Sequence, residues 1–528
     1  MLERALDPDE RHALGAHFTP RAYVDRLVIP TVNDPLRAEW SDTQAATLVL
    51  MGEHDALNAE ADQLSDALAQ QQKTERQGKA QAQTVLDAID KLRASARAKK
   101  REAIQTVKAF HHRLCTVLVL DPACGSGNFL YVTLEHLKRL EGEVLNLLET
   151  LDEGQNNLNL EGETVSLQQL LGIELNPRAA ALAELVLWIG YLQWQARTVG
   201  VGNIAEPVVH DYGNIENRDA VLAYDGTEPL KDAAGQIVTR WDGKTFKPHP
   251  VTGLNVPDES AQVVQERYIH PRKAQWPKVH FIVGNPPFIG KLKMKEALGD
   301  GYVDALRKAW PEVPDSADLV MYWWQKAAET VCSDNAQCFG LITTNSLTMI
   351  LNRRVIEAHQ NSSTPLSLTY AIPDHPWVDN AGGAAVRIAM TVGKKGNHSG
   401  QLARVVEESP GESGEVSVKL VSLHGKLHAD LTIGANVTSS KVLLSNLKIS
   451  NTGVIPHGAG MLLDAAERAT IEVNAPIRSY LNGKDLTNKS RQLYVIDCHG
   501  LSETEVMTIY PKLYQWLLNR VKPDRSVN

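Results

Sequence analysis

Apolar residues recur with two different periods along the chain, and the period changes at identifiable points. From 41 to 110 they recur every three or four positions, without proline and with few glycines, which predicts two long helices in an antiparallel surface arm. At Thr116 the pattern becomes a short apolar run, T-V-L-V-L, typical of a buried strand. Residues 1–40, before the arm, contain one short amphipathic helix.

Strand-like and helical segments then alternate as far as residue 400. The run L-L-G-I-E-L precedes a helix that starts at Pro177, and further apolar runs lie at 279–283, 338–344, 366–372 and 385–392. This alternation predicts an open α/β sheet. A stretch rich in glycine, proline and polar residues, 225–277, interrupts it as an insertion of hairpins and loops. Residues 401–528 are rich in β-branched residues and turn signals, which predicts a second, mixed α/β domain.

Composition narrows the possible classes of protein. A chain of 528 residues exceeds the length of one typical domain. The formal net charge of −9 argues against a protein that coats nucleic acid through bulk positive charge, so any such contact must come from a local patch. The five cysteines are scattered without a C-x-x-C pair, and no apolar run reaches the length of a membrane span. We therefore expect a cytoplasmic protein with reduced thiols and no metal site.

Two motifs carry the signs of a nucleotide-type site. In V-L-V-L-D-P-A-C-G-S-G-N-F-L, a strand ends at Asp121, and Gly125 and Gly127 allow backbone to approach a ligand before a helix begins near Asn128. Glu174 ends the next strand, where a carboxylate can accept hydrogen bonds from ribose hydroxyls. Taken singly, the first motif is equally well explained as an ordinary turn and Glu174 as a solvated strand end.

A third motif, V-H-F-I-V-G-N-P-P-F at 279–288, again places a turn after a strand. Asn285 offers an amide acceptor, Pro286 and Pro287 stiffen the backbone and fix the direction of a carbonyl, and Phe288 presents an aromatic face. A bare proline pair would favour a purely structural turn. The flanking amide and ring, in a chain with the other two motifs, favour a site instead.

Together these motifs resemble those of the amino-methyltransferases of DNA, in the order of the gamma class. D-P-A-C-G-S-G-N-F resembles the S-adenosylmethionine loop of that family, N-P-P-F its catalytic tetrapeptide, and H-F-T-P-R-A-Y-V the element that closes over the methionine end of the cofactor. In I-E-N-R-D-A-V-L, Asp219 takes the position that faces the cofactor's adenine. P-I-R-S-Y-L-N-G-K-D-L is similar to the start of the target-recognition region in large restriction-modification and phage-defence enzymes of the type IIG/IIL and BREX/DISARM kinds.

The resemblance implies a Rossmann-like methyltransferase sheet, an inserted helical arm and a partial target-recognition domain. It divides the chain into a cofactor-closing segment (1–40), the arm (41–110), the methyltransferase core (111–400) and a recognition domain (401–528) that we expect to be truncated. The implied cofactor is S-adenosyl-L-methionine, and these residues are predicted to bind it: Phe18, Thr19, Pro20, Asp121, Ala123, Gly125, Gly127, Asn128, Phe129, Glu174, Leu175, Asp219 and Asn285.

The implied reaction is methylation of adenine N6 in double-stranded DNA, as host-protective modification. Asn285 and the Pro286 carbonyl would accept the two amine hydrogens, while the flipped base stacks on Phe288 with Trp377 as a candidate on its other side. Three alternating cations are candidate phosphate contacts, although a solvated helix face explains them equally well: Lys291, Lys293 and Lys295. No nuclease motif is visible before residue 110, so a nuclease or a specificity subunit of a defence system is a possible partner.

Other readings stay open from the sequence. The same two acceptors suit the N4 amine of cytosine, although asparagine as the first letter of the tetrapeptide favours adenine in this family. N-P-P-aromatic also occurs in methyltransferases of ribosomal RNA guanine and of a protein glutamine. A non-catalytic subunit that binds DNA or partner proteins is the remaining alternative. Asp318, at the head of D-L-V-M-Y-W-W, is a candidate helix cap or base-pocket residue.

Overall fold

The structure is a computed structural model. It describes residues 19–74, 79–152, 163–198, 212–242, 245–248, 255–258, 260–377, 386–410, 416–436, 443–446, 454–456, 459–483, 485 and 491–522. The chain forms two compact units, Met1–Thr438 and Ser439–Asn528. Among the helices in these ranges, none has both the length and the apolar character that a membrane crossing requires.

The first unit alternates strands with helices in chain order. Its strands are β1 (Val119–Asp121), β2 (Leu170–Glu174), β3 (Ile215–Asn217), β4 (Leu222–Ala223), β5 (Gly226–Pro229), β6 (Thr239–Trp241), β7 (Phe246–Pro248), β8 (Asn255–Pro257), β9 (Gln262–Val264), β10 (Glu266–Ile269), β11 (Arg272–Lys273), β12 (Phe281–Gly284), β13 (Cys338–Thr344), β14 (Leu366–Pro376), β15 (Arg387–Lys395), β16 (Gly400–Pro410) and β17 (Val416–Gly425). Its helices are α1 (Arg21–Val28), α2 (Asp34–Thr74), α3 (Lys79–Cys115), α4 (Asn128–Asp152), α5 (Pro177–Thr198), α6 (Lys291–Leu298), α7 (Asp300–Ala309), α8 (Val320–Cys332) and α9 (Ile350–Gln360).

A nine-stranded, mostly parallel sheet lies at the centre of this unit, in the order β17-β16-β14-β15-β13-β12-β1-β2-β3. Strands β13, β12, β1, β2 and β3 run parallel to one another, and β15 pairs antiparallel with both β13 and β14. The predicted α/β sheet is confirmed. Because parallel strands end at the same edge of a sheet, the residues that follow β1, β2 and β12 all lie along that edge.

Alternation along the buried strands divides the core between the two faces of the sheet. Val119 packs in one hydrophobic cluster, with side chains of α1 to α5, whereas Leu120 packs in the other, with side chains of α7, α8 and α9. Phe281 and Ile282 divide in the same way. Successive strand side chains point to opposite faces, so a strand buried on both sides needs apolar residues at every position, as the continuous apolar runs have.

The arm consists of α2 and α3, which pack antiparallel. Three ion pairs show the direction because their partners run in opposite order along the two helices: Glu39–Arg113 at 3.5 Å, Glu53–Lys99 at 2.8 Å and Asp62–Arg93 at 3.3 Å. At the base, Trp40 stacks on Phe110 with ring centroids 5.0 Å apart. The helices begin and end outside the expected limits of 41 and 110, because their first and last turns pack into the sheet's core rather than belonging to the arm alone.

The insertion after β3 is built from short antiparallel ladders. Strand β4 pairs with β11, β5 with β10, β6 with β9 and β7 with β8, so the segment folds back on itself as nested hairpins. It returns the chain to β12, the central strand that leads to the N-P-P-F turn. The segment therefore leaves the order of the parallel strands intact.

The boundary between the two units differs from the expected position. The first unit continues to Thr438, because β16 and β17 join the edge of the large sheet rather than beginning a new domain. Leu402 and Ala403 are buried there, whereas most of β17 is exposed, and that mixed pattern resembles a separate β domain in the sequence.

The second unit contains β18 (Leu462–Leu463), α10 (Ala465–Ala469), β19 (Ile477–Tyr480), β20 (Leu493–Ile496), α11 (Glu503–Ile509) and α12 (Pro511–Trp516). Strand β20 lies between β18 and β19 in a three-stranded antiparallel sheet. A small core of Leu463, Ile471, Ile496 and Leu513 covers one side of it. A mixed α/β unit was expected here, and its role in target recognition stays a prediction.

Gln169 connects the end of the arm to the sheet. Its buried side-chain amide donates to the carbonyls of Leu114 at 2.9 Å and Val117 at 2.8 Å. We expect Gln169→Leu to lower the free energy of unfolding by about 2 kcal/mol, because both carbonyls lose a buried donor. Urea unfolding followed by tryptophan fluorescence measures this, with Gln401→Leu as control, since that amide donates to the exposed hydroxyl of Ser422. An equal loss in the free energy of unfolding for both substitutions would contradict the role given to Gln169.

Candidate active site

The D-P-A-C-G-S-G loop connects β1 to α4 through two glycines with positive φ, 54° at Gly125 and 81° at Gly127. A Cβ atom at Gly127 would lie 3.2 Å from the backbone of Ala183 in α5, so the position requires glycine for both conformation and packing. The Gly127 carbonyl accepts from the backbone N–H of Tyr131 at 2.8 Å as α4 begins. The loop is thus a tight turn beneath two helices, at the carboxyl edge of the sheet.

Glu174 links the end of β2 to this loop. One carboxylate oxygen accepts from the backbone N–H of Gly125 at 2.9 Å and the other from that of Asn176 at 2.8 Å. A carboxylate has about four acceptor positions, so these bonds leave capacity for ligand hydroxyls. Leu175, the next residue, is 66% exposed at the same edge and can contact a ligand's flat face.

Asp121 is buried at the end of β1. One oxygen accepts from the backbone N–H of Ala123 at 3.0 Å, and the other has no hydrogen-bond partner within the described ranges. Burial, with a smaller contribution from the charge of Glu174, raises the pKa of Asp121 to about 8. A Cβ at Gly284, the last residue of β12, would lie 2.6 Å from Asp121, so only glycine there lets the carboxylate lie beside the N-P-P-F turn. Gly284 was not singled out in the sequence.

The N-P-P-F turn follows β12 directly and is held at its far end. The Ile289 carbonyl accepts from the backbone N–H of Leu319 at 2.9 Å, and the Asp318 carboxylate accepts from the N–H of Lys291 at 3.2 Å. The other Asp318 oxygen accepts from Ser346 at 2.7 Å and Asn352 at 2.8 Å. Asp318 therefore fixes the turn rather than capping α8.

A second anchor comes from α8 itself. The indole N–H of Trp323 donates to the Pro122 carbonyl of the cofactor-type loop at 3.0 Å. The start of α8 thus holds both motifs, the loop through Trp323 and the turn through Asp318. In the sequence, only Asp318 at the head of this helix was a candidate, and nothing in the pattern distinguished this tryptophan from its neighbour.

Thr19 connects the N-terminal segment to both motifs. Its backbone carbonyl accepts from the Asn128 side chain at 2.6 Å, and its hydroxyl accepts from the Asn285 side-chain amide at 3.0 Å. The remaining polar atom, Asn285 Oδ1, is buried and has no hydrogen-bond partner in the part of the chain that the structure describes. Pro20 is the N-cap residue of α1, whereas Phe18 lies outside the described residues.

The aromatic residues of the site form an edge-to-face series. Phe288 meets Trp377 with centroids 5.9 Å apart and planes at 80°, and Trp377 meets Tyr23 of α1 at 5.7 Å. A base stacked between two rings needs parallel planes about 7 Å apart, twice the usual contact distance. The two rings do not have that arrangement here, so the predicted sandwich would require one of them to move.

Two predicted cofactor residues have other roles in this structure. The Asp219 carboxylate accepts from the backbone N–H groups of Val221 at 2.8 Å and Leu222 at 2.9 Å, and from the Tyr302 hydroxyl at 2.7 Å. These bonds shape the turn after β3. Phe129 is only 3% exposed and packs in the hydrophobic core, so its ring offers a ligand almost no surface.

The three lysines after the turn differ in their surroundings. Lys295 pairs with Asp300 at 3.3 Å and Asp304 at 3.5 Å, which neutralises its charge locally. Lys291 and Lys293 are exposed on α6 and make no ion pair with any described residue. They remain candidate phosphate contacts, whereas Lys295 is a weaker one.

A cluster of potential metal ligands lies away from the turn, on α3 and α4: His111, Cys115 and Glu141. The Glu141 carboxylate already pairs with Lys138 at 2.9 Å and accepts from Thr164 and the backbone N–H of Val165. Burial, and secondarily Glu141, raises the pKa of Cys115 to about 12, so without a metal ion this side chain is a thiol at neutral pH. The group is a hydrogen-bonded core network.

A family model described as the DNA-methyltransferase domain of MmeI matches residues 95–405, more than half of the chain. The chain belongs to the MmeI-type DNA-methyltransferase family. The matched part includes both the loop at Asp121 and the turn at Asn285, while Thr19 precedes it.

Two relatives match a larger share of the chain than the family model does. DNA methyltransferase A of Bacillus subtilis (strain 168) is 25% identical over 369 residues, which are 69% of this chain and 35% of the relative. The solved structure of the Type IIL restriction-modification enzyme MmeI in complex with DNA shares the fold, with a TM-score of 0.52 and 20% identity over 97% of this chain and 55% of that one. The chain thus spans about a third of the Bacillus subtilis protein and just over half of the MmeI chain.

Proposed function

We propose that this chain transfers a methyl group from S-adenosyl-L-methionine to the N6 amine of an adenine flipped out of double-stranded DNA. One observation carries the proposal. Asn285 presents a buried side-chain oxygen without a described partner, directly after the strand that lies next to the one ending at Asp121. An acceptor held in this way, beside a nucleotide-type loop, suits a reaction in which an amine hydrogen must be bound next to a cofactor.

The residues present fit the proposed cofactor. The glycine turn at Gly125 and Gly127 leaves space for backbone approach, Glu174 retains acceptor capacity for ribose hydroxyls, and the unpartnered Asp121 oxygen suits an ammonium group. The cofactor, when bound, supplies a methyl group activated on a sulfonium. Because that leaving group is already good, the chain needs neither a strong base nor a metal for the transfer.

The task of the protein is to prepare the amine. In a free adenine the N6 lone pair is delocalised into the ring, so the nitrogen is a poor nucleophile. Asn285 Oδ1 and the Pro286 carbonyl can each accept one amine hydrogen, which favours a tetrahedral nitrogen with its lone pair free. These bonds strengthen as positive charge develops on nitrogen, and only such differential binding lowers the barrier.

The bonds and charges balance without a further reactant. The amine nitrogen uses its lone pair to form the new N–C bond while the S–C bond breaks, and that electron pair stays on sulfur as a neutral thioether. The methylated nitrogen then loses one proton to water. Stacking of the flipped base on Phe288 contributes roughly 1–3 kcal/mol, which offsets part of the free energy needed to flip the base out of the duplex.

Adenine, duplex DNA and a defence role are the specific parts of the proposal. Family membership supports DNA as the substrate, and the MmeI relative is itself a restriction-modification enzyme bound to DNA. Asparagine at the first position of N-P-P-F supports adenine over cytosine, through the gamma-class resemblance. We propose host-protective modification in the cytoplasm, together with a nuclease or specificity component.

Labelled cofactor and duplex DNA, followed by digestion to nucleosides, test the proposal directly. Label in N6-methyl-2′-deoxyadenosine with the wild type, and none with Asn285→Ala, is the expected result. Label in N4-methyl-2′-deoxycytidine would replace adenine by cytosine, and label transferred only when ribosomal RNA or a protein is supplied in place of DNA would reject DNA as the substrate. DNA binding without label under any condition would indicate a non-catalytic subunit.

A further inference from the structure

We propose that Thr19 is a positioning residue for the reaction: its hydroxyl holds the Asn285 amide so that Oδ1 faces the target amine. This inference rests on the proposed function and assigns Thr19 a role beyond cofactor contact. The decisive contact is the 3.0 Å hydrogen bond from Asn285 Nδ2 to Thr19 Oγ1. Thr19 is only 6% exposed, so water does not readily take its place.

The two ends of an amide side chain have opposite hydrogen-bonding character. Oδ1 accepts, whereas Nδ2 donates, and a half-turn of the Asn285 amide would present N–H groups to an amine that is itself a donor. With the amine bound, the observed orientation satisfies both ends, because Nδ2 donates to Thr19 while Oδ1 accepts from the amine. Without the hydroxyl, Nδ2 is left beside an apolar group, or the amide rotates towards another partner.

Thr19 is itself held in place by the helix that follows it. The Pro20 carbonyl accepts from the backbone N–H of Tyr23 at 2.9 Å, and the inward side of α1 is fully buried. Tyr23 contacts Trp377, which contacts Phe288 at the other end of the catalytic tetrapeptide. The segment thus braces both ends of N-P-P-F, which is the pre-organisation that a transition-state contact needs.

The same residue connects the turn to the cofactor-type loop through a different atom. Asn128 donates to the backbone carbonyl of Thr19, and that carbonyl is present whatever the side chain at position 19. A substitution that removes only the hydroxyl therefore keeps the link to the loop. This separation makes the positioning role testable apart from cofactor binding.

The matched pair is Thr19→Val, which keeps the side-chain shape without the hydroxyl, and Thr19→Ser, which keeps the hydroxyl. For Thr19→Val we expect kcat for DNA methylation to fall roughly ten- to hundredfold, as one buried hydrogen bond at the reacting group warrants. For Thr19→Ser we expect kcat within about threefold of the wild type. Cofactor dissociation constants, measured by calorimetry, should be unchanged in both, and the melting temperature of Thr19→Val should fall by no more than a few degrees, as the loss of one buried hydrogen bond warrants.

Base flipping gives a readout that does not depend on the amine. A duplex with 2-aminopurine at the target position fluoresces when the base leaves the stack, and that analogue has no 6-amino group for Asn285 to bind. We expect Thr19→Val to flip it as well as the wild type does, although it methylates adenine slowly.

Three outcomes would overturn the inference. Thr19→Ser as slow as Thr19→Val would show that the hydroxyl does not matter, and full activity of Thr19→Val would show that the bond is not needed. A parallel loss of melting temperature, cofactor affinity and 2-aminopurine fluorescence in Thr19→Val would assign the residue a purely structural role. Failure of the wild type to methylate DNA would instead reject the proposed function, and this inference with it.

Discussion

Asn285→Ala is expected to reduce methylation by about 10²–10³-fold or more while the cofactor still binds. The substitution removes the buried oxygen that accepts an amine hydrogen, and loss of one such pre-organised group has this order of effect on kcat. Cofactor binding should persist because most of the groups assigned to it, among them Asp121, Glu174 and the glycine turn before α4, are unchanged by the substitution. Radiolabel transfer measures the first quantity and isothermal calorimetry the second.

Asn345→Ala is the matched control for this prediction. Asn345 follows β13, the neighbouring parallel strand, and its exposed side chain donates to Asp374 at 3.2 Å. Truncating it changes the same residue type at the same sheet edge without touching the proposed amine contact, so kcat should stay within about twofold. If Asn285→Ala lost cofactor affinity as severely as activity, Asn285 would belong to the cofactor site rather than to catalysis.

Asp121→Asn is expected to weaken S-adenosyl-L-methionine binding by roughly a hundredfold, the value of a charge-assisted hydrogen bond in a buried site. Asparagine keeps the shape of the side chain but cannot become an anion. In the wild type, the pKa of about 8 means that the acid is mostly protonated at neutral pH. A bound ammonium favours the carboxylate, so cofactor affinity should rise from pH 6 to pH 8 and then level off.

The same substitution should stabilise the ligand-free protein. In the unfolded chain the carboxyl titrates near its ordinary value of 3.8, and in the fold near 8, so between these values only the folded state keeps the proton. The contribution of Asp121 to the free energy of unfolding therefore falls as pH rises through that window and is constant above it. Asp121→Asn has no such proton, so its melting temperature should exceed that of the wild type increasingly from pH 5 to pH 8.

Calorimetry in two buffers of different ionisation enthalpy measures the proton that cofactor binding releases, and thermal scans at several pH values measure the stability. Asp304→Asn, at an exposed acid of α7, should change neither quantity. Lower stability of Asp121→Asn at pH 8, or cofactor affinity equal to that of the wild type, would contradict the buried, neutral acid described here.

The buried strands and the turns that follow them could be predicted from the local sequence pattern. The buried strands have continuous apolar runs, and the turns after β1 and β12 have the glycines and prolines that such turns need, so Asp121, Glu174 and Asn285 were correctly expected at strand ends. Their adjacency also followed, because parallel strands end at one edge. The edge strands β16 and β17 were assigned to the second domain, since an exposed edge has the composition of a small β domain.

Contacts between distant parts of the chain were not predictable in this way. The hydrogen bond between Asn285 and Thr19 joins residues 266 positions apart, and no period or motif encodes it. Gly284 and Trp323 matter through the neighbours that tertiary packing gives them. At Asp219 and Phe129 the motifs predicted cofactor contacts that the structure does not show. The Asp219 carboxylate accepts from backbone N–H groups, and the Phe129 ring packs in the hydrophobic core.

The arm has a consequence for the order in which the chain assembles. Asn128 and Thr19 are 109 positions apart, yet most of that length is the helical hairpin of α2 and α3, whose two ends meet where Trp40 stacks on Phe110. Contacts between the parts of α2 and α3 that are nearest in sequence close only short loops, so the entropy of joining the two ends can be lost in small steps. The entropic cost of bringing Thr19 to the loop at Asn128 is therefore smaller than it would be across a flexible linker of equal length.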